Sequence, residues 1–288
     1  MDKVFYIIII VFAVLCLTAL IINICDLNRF VVRNYTVTSD RIKKPFKFVL
    51  LSDLHNKNYG NENEKILSAI RTAQPDFVIC AGDMITAEPG AKNETAVKFM
   101  QKLAKEFDVY YGMGNHEYRA GLYPDKYGSM YQDYIDILKE ANVIVLNNSH
   151  VDLDEFGIYI SGLEIDKKFY KRFRVYPMDK EYIPSVLGEK KKEKFEILIA
   201  HNPDYSPEYS EYGADLSVSG HVHGGLIRLP FIGGIASPNV RFFPKYNGGM
   251  YRIGTSVSIV SCGLGTHTLP LRLFDPGELC VITCKNSE

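Results

Sequence analysis

Several short apolar segments of this chain end in aspartate, asparagine or histidine, and five of the seven histidines lie in the polar motifs that follow them. These motifs are Ser52-Asp53-Leu54-His55, Gly82-Asp83, Gly112 to Glu117, His201-Asn202 and Gly220 to Gly225. The apolar segments are rich in β-branched residues and alternate with stretches of helical periodicity, which predicts stacked α/β layers. Because open α/β sheets carry their sites beyond the carboxyl ends of the strands, we expect these polar side chains to meet at one edge.

The composition permits a packed core and excludes several classes of protein. Of the 288 residues, 47% are hydrophobic and 23% charged, so the chain is not intrinsically disordered. The 33 basic and 34 acidic side chains nearly cancel, so no positive field exists to hold a polyanion and no nucleic-acid partner is expected. The 6 cysteines form no CxxC pair, which argues against a zinc ribbon or a disulfide scaffold.

The amino terminus carries one long apolar segment. Val4 to Cys25 has no formal charge and is followed at once by Asp26. A helix of this length spans about 33 Å, enough to cross a hydrocarbon core of about 30 Å. We therefore expect residues 1–34 to form a membrane anchor and juxtamembrane linker, in contact with the membrane through residues 4–25, and residues 35–288 to form one domain. A cleaved signal peptide and a buried core helix are the alternatives.

The charges that flank the apolar segment favour one orientation of a single-pass membrane protein. Lys3 and the free amine precede the segment, whereas the residues that follow it include Arg29, Arg33, Arg41, Lys43 and Lys44. The positive-inside rule then places the large domain on the cytoplasmic side. Large domains are also translocated against a modest charge bias, so the opposite orientation stays open.

The polar motifs combine carboxylate, amide and imidazole groups, which suit divalent ions such as Mn, Fe, Zn, Co or Ni. Residues two apart on an extended strand share a side, so Asp53 and His55 can hold the same ion, and His221 and His223 have the same spacing. Asp83 follows a glycine and has two oxygens with which to bridge two ions. Taken singly, each of these residues is more often structural than a ligand, and only the set predicts a metal site.

The order DxH, GD, GNHE, a separate His and GHxH resembles that of the calcineurin-like metallophosphoesterases, from about Phe48 to the carboxyl terminus. Within that family the chain looks most like the membrane-associated bacterial branch, which is related to the UDP-2,3-diacylglucosamine pyrophosphatase-like phosphoesterases. The features of that branch are the GHxHGG motif followed by a short strand, and then Gly263-Leu264-Gly265, Pro270 and Arg272.

The resemblance implies a metallophosphoesterase domain with a four-layer α/β/β/α sandwich of two mixed sheets, and a cofactor of two divalent metal ions, for instance manganese or zinc. It assigns Asp53, His55 and His223 to one metal ion, Asn115, His201 and His221 to the other, and Asp83 to a bridging position. His116 is then not a ligand but the catalytic residue that points at the phosphate, and we expect it to act as an imidazolium. Many relatives carry an acid three positions after the bridging aspartate, where this chain has Thr86.

The function that follows from the resemblance is a membrane-anchored phosphoesterase that hydrolyses phosphodiester or pyrophosphate bonds, with lipid-linked or envelope compounds as the favoured phosphorylated substrates. The alternatives are a phosphodiesterase for soluble nucleotides and a non-catalytic metal-binding scaffold. Arg272 and Arg228 are candidate phosphate contacts, although salt bridges would explain them equally well.

Two aromatic segments are open to more than one interpretation. Lys167 to Tyr176 interleaves basic and aromatic residues, which is typical of a solvated surface segment or of a patch that meets anionic lipid head groups. The tyrosines Tyr123, Tyr127, Tyr131 and Tyr134 are spaced by three and four residues, which predicts a helix face on the core and leaves a lid as the alternative.

Overall fold

The computed structural model describes residues 3–191, 193–229, 231–238, 240–266 and 269–287. The predicted anchor range 1–34 begins with two residues that lie outside the described ones, and the predicted domain range 35–288 ends with one such residue. The helices are α1 (Lys3–Leu27), α2 (Glu64–Ala73), α3 (Glu94–Ala104), α4 (Asn115–Leu122), α5 (Pro124–Tyr127), α6 (Met130–Glu140), α7 (Tyr182–Leu187) and α8 (Ser206–Tyr212).

The strands fall into two sheets and one short hairpin. They are β1 (Phe30–Thr38), β2 (Phe46–Leu51), β3 (Phe77–Cys80), β4 (Val109–Gly112), β5 (Ile144–Leu146), β6 (Ser149–Leu153), β7 (Ile158–Leu163), β8 (Phe195–Ala200), β9 (Leu216–Ser219), β10 (Arg228–Leu229), β11 (Gly233–Gly234), β12 (Gly249–Ile253), β13 (Ser256–Val260) and β14 (Gly277–Lys285). The first sheet has the order β1-β14-β2-β3-β4-β5, and the second has the order β12-β13-β9-β8-β7-β6.

Both sheets are mixed, with a parallel centre. Strands β2 to β5 are mutually parallel, and β14 runs antiparallel to β2. In the second sheet β7, β8, β9 and β13 are parallel, whereas the outer strands β6 and β12 run the other way. The parallel strands of each sheet therefore end on the same side, which we call the site edge.

The two sheets pack face to face, and helices cover their outer faces. Side chains such as Phe48 and Phe77 of the first sheet share one buried cluster with Ile197 and Ile259 of the second. A second cluster joins the outer face of the first sheet to α2, α3 and α6. A third cluster joins the outer face of the second sheet to α7 and α8. The four-layer α/β/β/α sandwich is thus confirmed. Each layer buries an apolar face that could not be left in water.

The chain enters the first sheet at the site edge. Strand β1 runs parallel to β14, with Phe30 opposite Gly277, and β14 runs antiparallel to β2. Phe30 therefore lies at the end of the sheet where β2 finishes, and its ring meets that of Tyr59 with centroids 5.3 Å apart. The predicted boundary after residue 34 falls inside β1. Helix α1, which precedes this strand, is long and apolar enough to cross a membrane.

Candidate metal centre

The predicted ligands all lie just after strands of the site edge, in loops and turns or, for Asn115, at the start of a helix. Asp53 and His55 follow β2, Asp83 follows β3, and Asn115 with His116 opens α4 directly after β4. His201 follows β8, and the pair His221 and His223 follows β9. The Asp and His residues of this set are buried. Parallel strand order thus brings residues that are far apart in the sequence to one place.

Three residues form the first group of potential ligands, namely Asp53, His55 and His223, whose ligand atoms lie within 4.8 Å of one another. His223 Nε2 is 3.2 Å from His55 Nε2 and 3.5 Å from Asp53 Oδ1. His55 Nε2 is 3.9 Å from the same Asp53 oxygen. Two ring nitrogens and one carboxylate oxygen thus converge on a space of the size of one ion.

Asp83, His201 and His221 form a second such group. Asp83 Oδ2 is 3.2 Å from His201 Nε2 and 3.8 Å from His55 Nε2 of the first group. The other oxygen, Oδ1, accepts a hydrogen bond from the backbone N–H of His116 at 2.7 Å. One oxygen of Asp83 therefore faces both groups. The backbone hydrogen bond holds the other oxygen in place.

The local backbone conformation differs from the expected one. Asp53 and His55 have φ values of 49° and 46°, so they do not share a side of an extended strand as predicted. Asp83, His221 and His223 also have positive φ, at 55°, 73° and 49°. Non-glycine residues in the left-handed region carry backbone strain, which is typical of functional sites. These tight turns, rather than strand pleating, aim the side chains.

Close packing of the backbone secures Asp53. Both of its carboxylate oxygens accept a hydrogen bond from the N–H of His221, at 3.0 Å. A Cβ at Gly220 would lie 2.1 Å from Asp53 Oδ2, so only glycine allows this approach. The motif Gly220 to Gly225 therefore holds the motif of Asp53 in place, although 168 residues separate Asp53 from His221.

Hydrogen bonds to backbone carbonyls set the tautomers of two histidines. His201 Nδ1 donates to the Ala81 oxygen at 2.6 Å, and His223 Nδ1 donates to the Gly265 oxygen at 3.1 Å. Since Nδ1 faces a carbonyl, the Nε2 atom of each ring is directed at the carboxylates and becomes a metal ligand when it carries no proton. This is the arrangement that metal-ligating histidines adopt in proteins.

The electrostatics of the centre favour a positive charge between the carboxylates and the rings. Burial raises the pKa of Asp53 to about 6. Burial also opposes ionisation of Asp83, yet neighbouring imidazoles, His201 first, hold the pKa of Asp83 well below its ordinary value. Burial alone would lower the pKa of His201, but Asp83 and Asp53 raise it to about 10. A metal ion competes with a proton for the same lone pair, so a centre with this charge balance suits divalent cations.

Asn115 supplies a further indication that the residues fit a metal ion. Its Oδ1 atom is buried and has no hydrogen-bond partner in the described part of the chain. A buried amide oxygen without a donor is costly unless a cation or water satisfies it. Asn115 and His221 line the same cavity, so this oxygen lies beside the second group.

His116 lies against the centre but has a different tautomer. Its Nδ1 accepts a hydrogen bond from the N–H of Ala87 at 2.9 Å, and Arg119 Nη2 lies 3.2 Å from the same atom. The ring proton is therefore on Nε2, and the neutral ring replaces the imidazolium that we expected. Arg119 also donates to the Ala87 carbonyl at 3.0 Å. Ala87 and Arg119 thus take the orienting position that an acid at Thr86 would otherwise fill.

Glu117 organises two of the loops, a role that the sequence analysis did not assign. Its carboxylate accepts hydrogen bonds from the backbone N–H groups of Asp83, Met84 and Gly114, at 2.9 to 3.1 Å. The Tyr111 hydroxyl donates to it at 2.8 Å. Burial, followed by the charge of Asp83, raises the pKa of Glu117 to about 7. The sequence does contain a signal for this role, because Glu117 is an acid at the third position of α4, the helix that the GNHE motif opens.

Arg272 is not a phosphate contact. It is buried, with 1% of its surface exposed, and its guanidinium donates to the carbonyl oxygens of Cys262, Gly263 and Gly265 at 2.7 to 3.0 Å, and to that of Asp275 at 3.1 Å. Gly265 in turn donates to the backbone oxygen of Asp53. Arg272 therefore supports the loop beside the metal centre, and backbone carbonyls accept from both of its Nη atoms.

A cavity of about 200 Å³ opens beside the metal centre. His116, Asn115 and His221 form its floor, and four basic residues line it, namely Arg119, Lys167, Lys171 and Arg172. The basic and aromatic segment predicted at the surface thus forms one wall of the cavity. Tyr123 also lines it, and the Lys167 amine contacts the Tyr123 hydroxyl. Tyr127 and Tyr134 are buried, as the helical spacing predicted.

A four-layer sandwich with two adjoining carboxylate and imidazole groups at one edge defines a metal-dependent phosphoester hydrolase with two divalent ions. Residues 46–225 match the family model described as calcineurin-like phosphoesterase. The match covers more than half of the chain, which therefore belongs to this family.

Relatives of similar architecture include bacterial and mammalian proteins. The chain is 28% identical over 245 residues to an uncharacterized metallophosphoesterase of Bacillus subtilis, YkuE, covering 84% of this chain and 80% of that protein. It is 26% identical over 247 residues to a transmembrane protein with a metallophosphoesterase domain from Bos taurus, covering 81% of this chain and 51% of that one. It is 23% identical over 293 residues to the UDP-2,3-diacylglucosamine pyrophosphatase LpxG of Chlamydia muridarum, covering 83% of each chain.

Proposed function

We propose that this protein is a membrane-anchored phosphoesterase that cleaves phosphodiester or pyrophosphate bonds, with lipid-linked compounds as its substrate class. The observation that carries the proposal is the position of Asp83, whose Oδ2 atom lies 3.2 Å from His201 Nε2 of one group and 3.8 Å from His55 Nε2 of the other. Asp53 Oδ1 approaches the second group less closely, at 3.8 Å from His201 Nε2. A single oxygen shared between two groups is the arrangement expected of a dinuclear centre.

In this proposal each metal ion has its own ligands. Asp53, His55 and His223 hold one ion, Asn115, His201 and His221 hold the other, and Asp83 bridges them. The ions, when bound, polarise phosphoryl oxygens and lower the pKa of water, which is the chemistry that hydrolysis of a phosphoester requires.

His116 is the proposed catalytic residue. Its proton is on Nε2 because Ala87 donates to Nδ1, so the ring presents a hydrogen-bond donor to the substrate. We assign it the task of donating to the oxygen of the leaving group as negative charge develops there. Arg119, beside Nδ1, keeps the ring in this tautomer.

The charge of the cavity supports a substrate with more than one anionic group. Arg119, Lys167, Lys171 and Arg172 surround the space above His116. One phosphodiester carries a single negative charge, whereas a pyrophosphate carries at least two and would use more of these cations. The similarity to a relative named as a pyrophosphatase, together with α1 as an anchor, supports lipid-linked pyrophosphates as the substrate. A soluble nucleotide is the competing substrate.

We further propose that α1 keeps the protein in the membrane, with residues 35–288 as the catalytic domain and this domain on the cytoplasmic side. The basic residues after α1 support this orientation. Protease protection of the domain in sealed vesicles prepared from cells, with and without detergent, tests it.

The substrate class can be tested with the full chain in detergent micelles. The substrates would be p-nitrophenyl phosphate, bis-p-nitrophenyl phosphate, a prenyl pyrophosphate sugar and a free nucleotide sugar. We expect the lipid-linked pyrophosphate to have the highest kcat/KM, and a preference for the monoester or for the free nucleotide would contradict the proposal.

A matched pair of variants tests the cavity cations. Lys171→Ser removes a charge from the cavity, whereas Lys168→Ser removes one from the same segment outside it, where the amine lies 4.8 Å from the Phe169 ring centroid. We expect Lys171→Ser to raise KM for the pyrophosphate about tenfold and Lys168→Ser to leave it unchanged. Equal effects of the two variants would show that the cavity does not bind the second anionic group.

A further inference from the structure

The anchor helix is joined to the catalytic domain at the site edge, by specific hydrogen bonds. Asn23, in the last turns of α1, donates to the Pro270 carbonyl at 3.3 Å and accepts from the Arg272 N–H at 2.8 Å. One turn later, Asp26 accepts from the Asp275 N–H at 3.0 Å. The end of α1 is therefore fixed to the loop that Arg272 holds beside the metal centre.

The part of α1 before this junction has the length of a bilayer. From Val4 to Asn23 an α-helix rises about 29 Å, which matches a hydrocarbon core of about 30 Å. Within α1 the apolar side chains of this part are exposed. Since the junction with Pro270 lies at the end of this apolar stretch, the site edge must lie close to the membrane surface when α1 is inserted.

Exposed apolar side chains are gathered at the same edge. Phe231, Phe242 and Leu269 are exposed in loops that follow β9 and β13, and Phe173 is exposed in the loop that follows β7. Several large apolar side chains exposed on one edge are uncommon in soluble domains and mark contact surfaces. At the opposite edge, the turn between β6 and β7 carries the exposed charges Asp154 and Glu155 instead.

The charges between these aromatic residues suit a lipid surface. Lys171, Arg172 and Arg174 flank the exposed Phe173. Aromatic side chains that enter the head-group region beside basic ones are the pattern of interfacial membrane contact. This favours a bilayer with anionic lipids over a second protein chain as the occupant of the surface.

The segment that carries Phe231 and Phe242 is continuous with the metal centre. It begins directly after the ligand His223 and Gly225, and the Gly225 carbonyl accepts from the N–H of Ala236. Pro238, two residues further on, lines the cavity above His116. A molecule lying in the head-group layer against Phe242 would thus be next to the cavity.

We propose that the site edge rests on the bilayer, with Phe173, Phe231, Phe242 and Leu269 in the head-group layer, so that the metal centre opens onto the membrane surface and takes phosphorylated lipids from it directly. This inference rests on the proposed function of α1 as an anchor. It identifies the membrane surface as the partner of this edge and as the route by which the substrate enters.

Depth-dependent fluorescence quenching tests this placement. The full chain, with Cys16→Ala and Cys25→Ala, would be reconstituted into vesicles of phosphatidylcholine and phosphatidylglycerol. Bimane labels would be placed singly with Phe231→Cys, Phe242→Cys and, as a control at the opposite edge, Glu155→Cys. The remaining cysteines are buried. Lipids with a nitroxide near the head group would serve as the quencher.

We expect the labels at positions 231 and 242 to be quenched at least about twofold more than the label at position 155, because interfacial groups enter about 5–10 Å into the boundary region. Equal quenching at the three positions would overturn the inference. Energy transfer between labels at position 242 of different chains, without quenching by lipid, would also overturn it. That result would indicate that a second copy of the chain covers the site edge.

A label on the native Cys16, with only Cys25→Ala, separates this inference from the anchor on which it rests. Cys16 lies within α1, so quenching by nitroxides deep in the acyl chains reports insertion of the helix. A quenched Cys16 label together with unquenched labels at positions 231 and 242 would refute contact between the site edge and the bilayer, but it would leave insertion of α1 supported. An unquenched Cys16 label would refute both, while hydrolysis of soluble bis-p-nitrophenyl phosphate would still report the metal centre.

Discussion

His223 and Arg272 share one hydrogen-bond acceptor, the carbonyl oxygen of Gly265. His223 Nδ1 lies 3.1 Å from this oxygen and Arg272 Nη2 lies 2.7 Å from it. The arginine therefore fixes the acceptor that orients a proposed metal ligand. Because Asn23 accepts from the backbone N–H of the same arginine, one loop connects α1, the buried guanidinium and the metal centre.

The first prediction concerns this loop. Arg272→Lys keeps the charge, but its three donors cannot serve the four carbonyls of Cys262, Gly263, Gly265 and Asp275 together, so His223 loses its fixed orientation. We expect the affinity for one of the two metal ions to fall about 10- to 100-fold, as for other residues that support metal ligands. Chelator competition measures it. Arg228→Lys, whose guanidinium binds Gly224 and Asn247 instead, is the control, and unchanged metal affinity in a folded Arg272→Lys protein would contradict the role.

The second prediction distinguishes the shared ligand from an unshared one. Asp83→Ala removes the oxygen that faces both groups, so we expect it to reduce the bound metal by more than one ion per chain. Asp53→Ala removes a carboxylate that lies closest to His223, at 3.5 Å, and leaves Asp83, His201 and His221 in place, so about one ion should stay bound. Metal analysis of the purified variants measures the difference. Equal losses would show that Asp83 does not bridge the two ions.

The third prediction separates chemistry from metal binding at His116. His116→Ala should leave the metal content near that of the native protein and lower kcat about 10²- to 10⁴-fold. The loss should be largest for esters with poorly acidic leaving groups, whose oxygen develops the most negative charge and gains most from the Nε2–H hydrogen bond, and smallest for p-nitrophenyl esters. A variant that loses its metal ions would show that His116 is a ligand. A uniform loss with all leaving groups would argue against a hydrogen bond from His116 to the leaving oxygen.

The fourth prediction concerns Glu117. Glu117→Ala leaves the buried N–H groups of Asp83, Met84 and Gly114 without their acceptor, so the free energy of unfolding should fall by about 3 kcal/mol. Denaturant unfolding of the metal-free full chain measures this, which removes any contribution from metal binding. Glu94→Ala, an exposed acid at the start of α3, should change it by less than about 0.5 kcal/mol. A small effect at Glu117 would show that another group satisfies these donors.

Local pattern was sufficient for the buried elements of the fold. Strand β9 is buried throughout, and helix α2 buries Ile66, Leu67 and Ile70 at helical spacing, so both leave a periodic signature in the chain. The outer strands β1, β6 and β12 carry no such signature. The residues of β6 and β12 alternate between half-buried and exposed, and those of β1 are exposed or half-buried except for Val37, so the place of these strands depends on their neighbours rather than on their own composition.

By itself the sequence determined the family, the α/β sandwich and the residue types that suit divalent metal ions, because these depend on short motifs and their order. Only the tertiary structure decided that His116 is protonated on Nε2, that Arg272 supports a loop, and that α1 joins the domain at the site edge. Each of these rests on a hydrogen bond to a backbone amide or carbonyl. Such groups occur in every residue and leave no mark in the sequence, so their partners emerge only when the chain is folded.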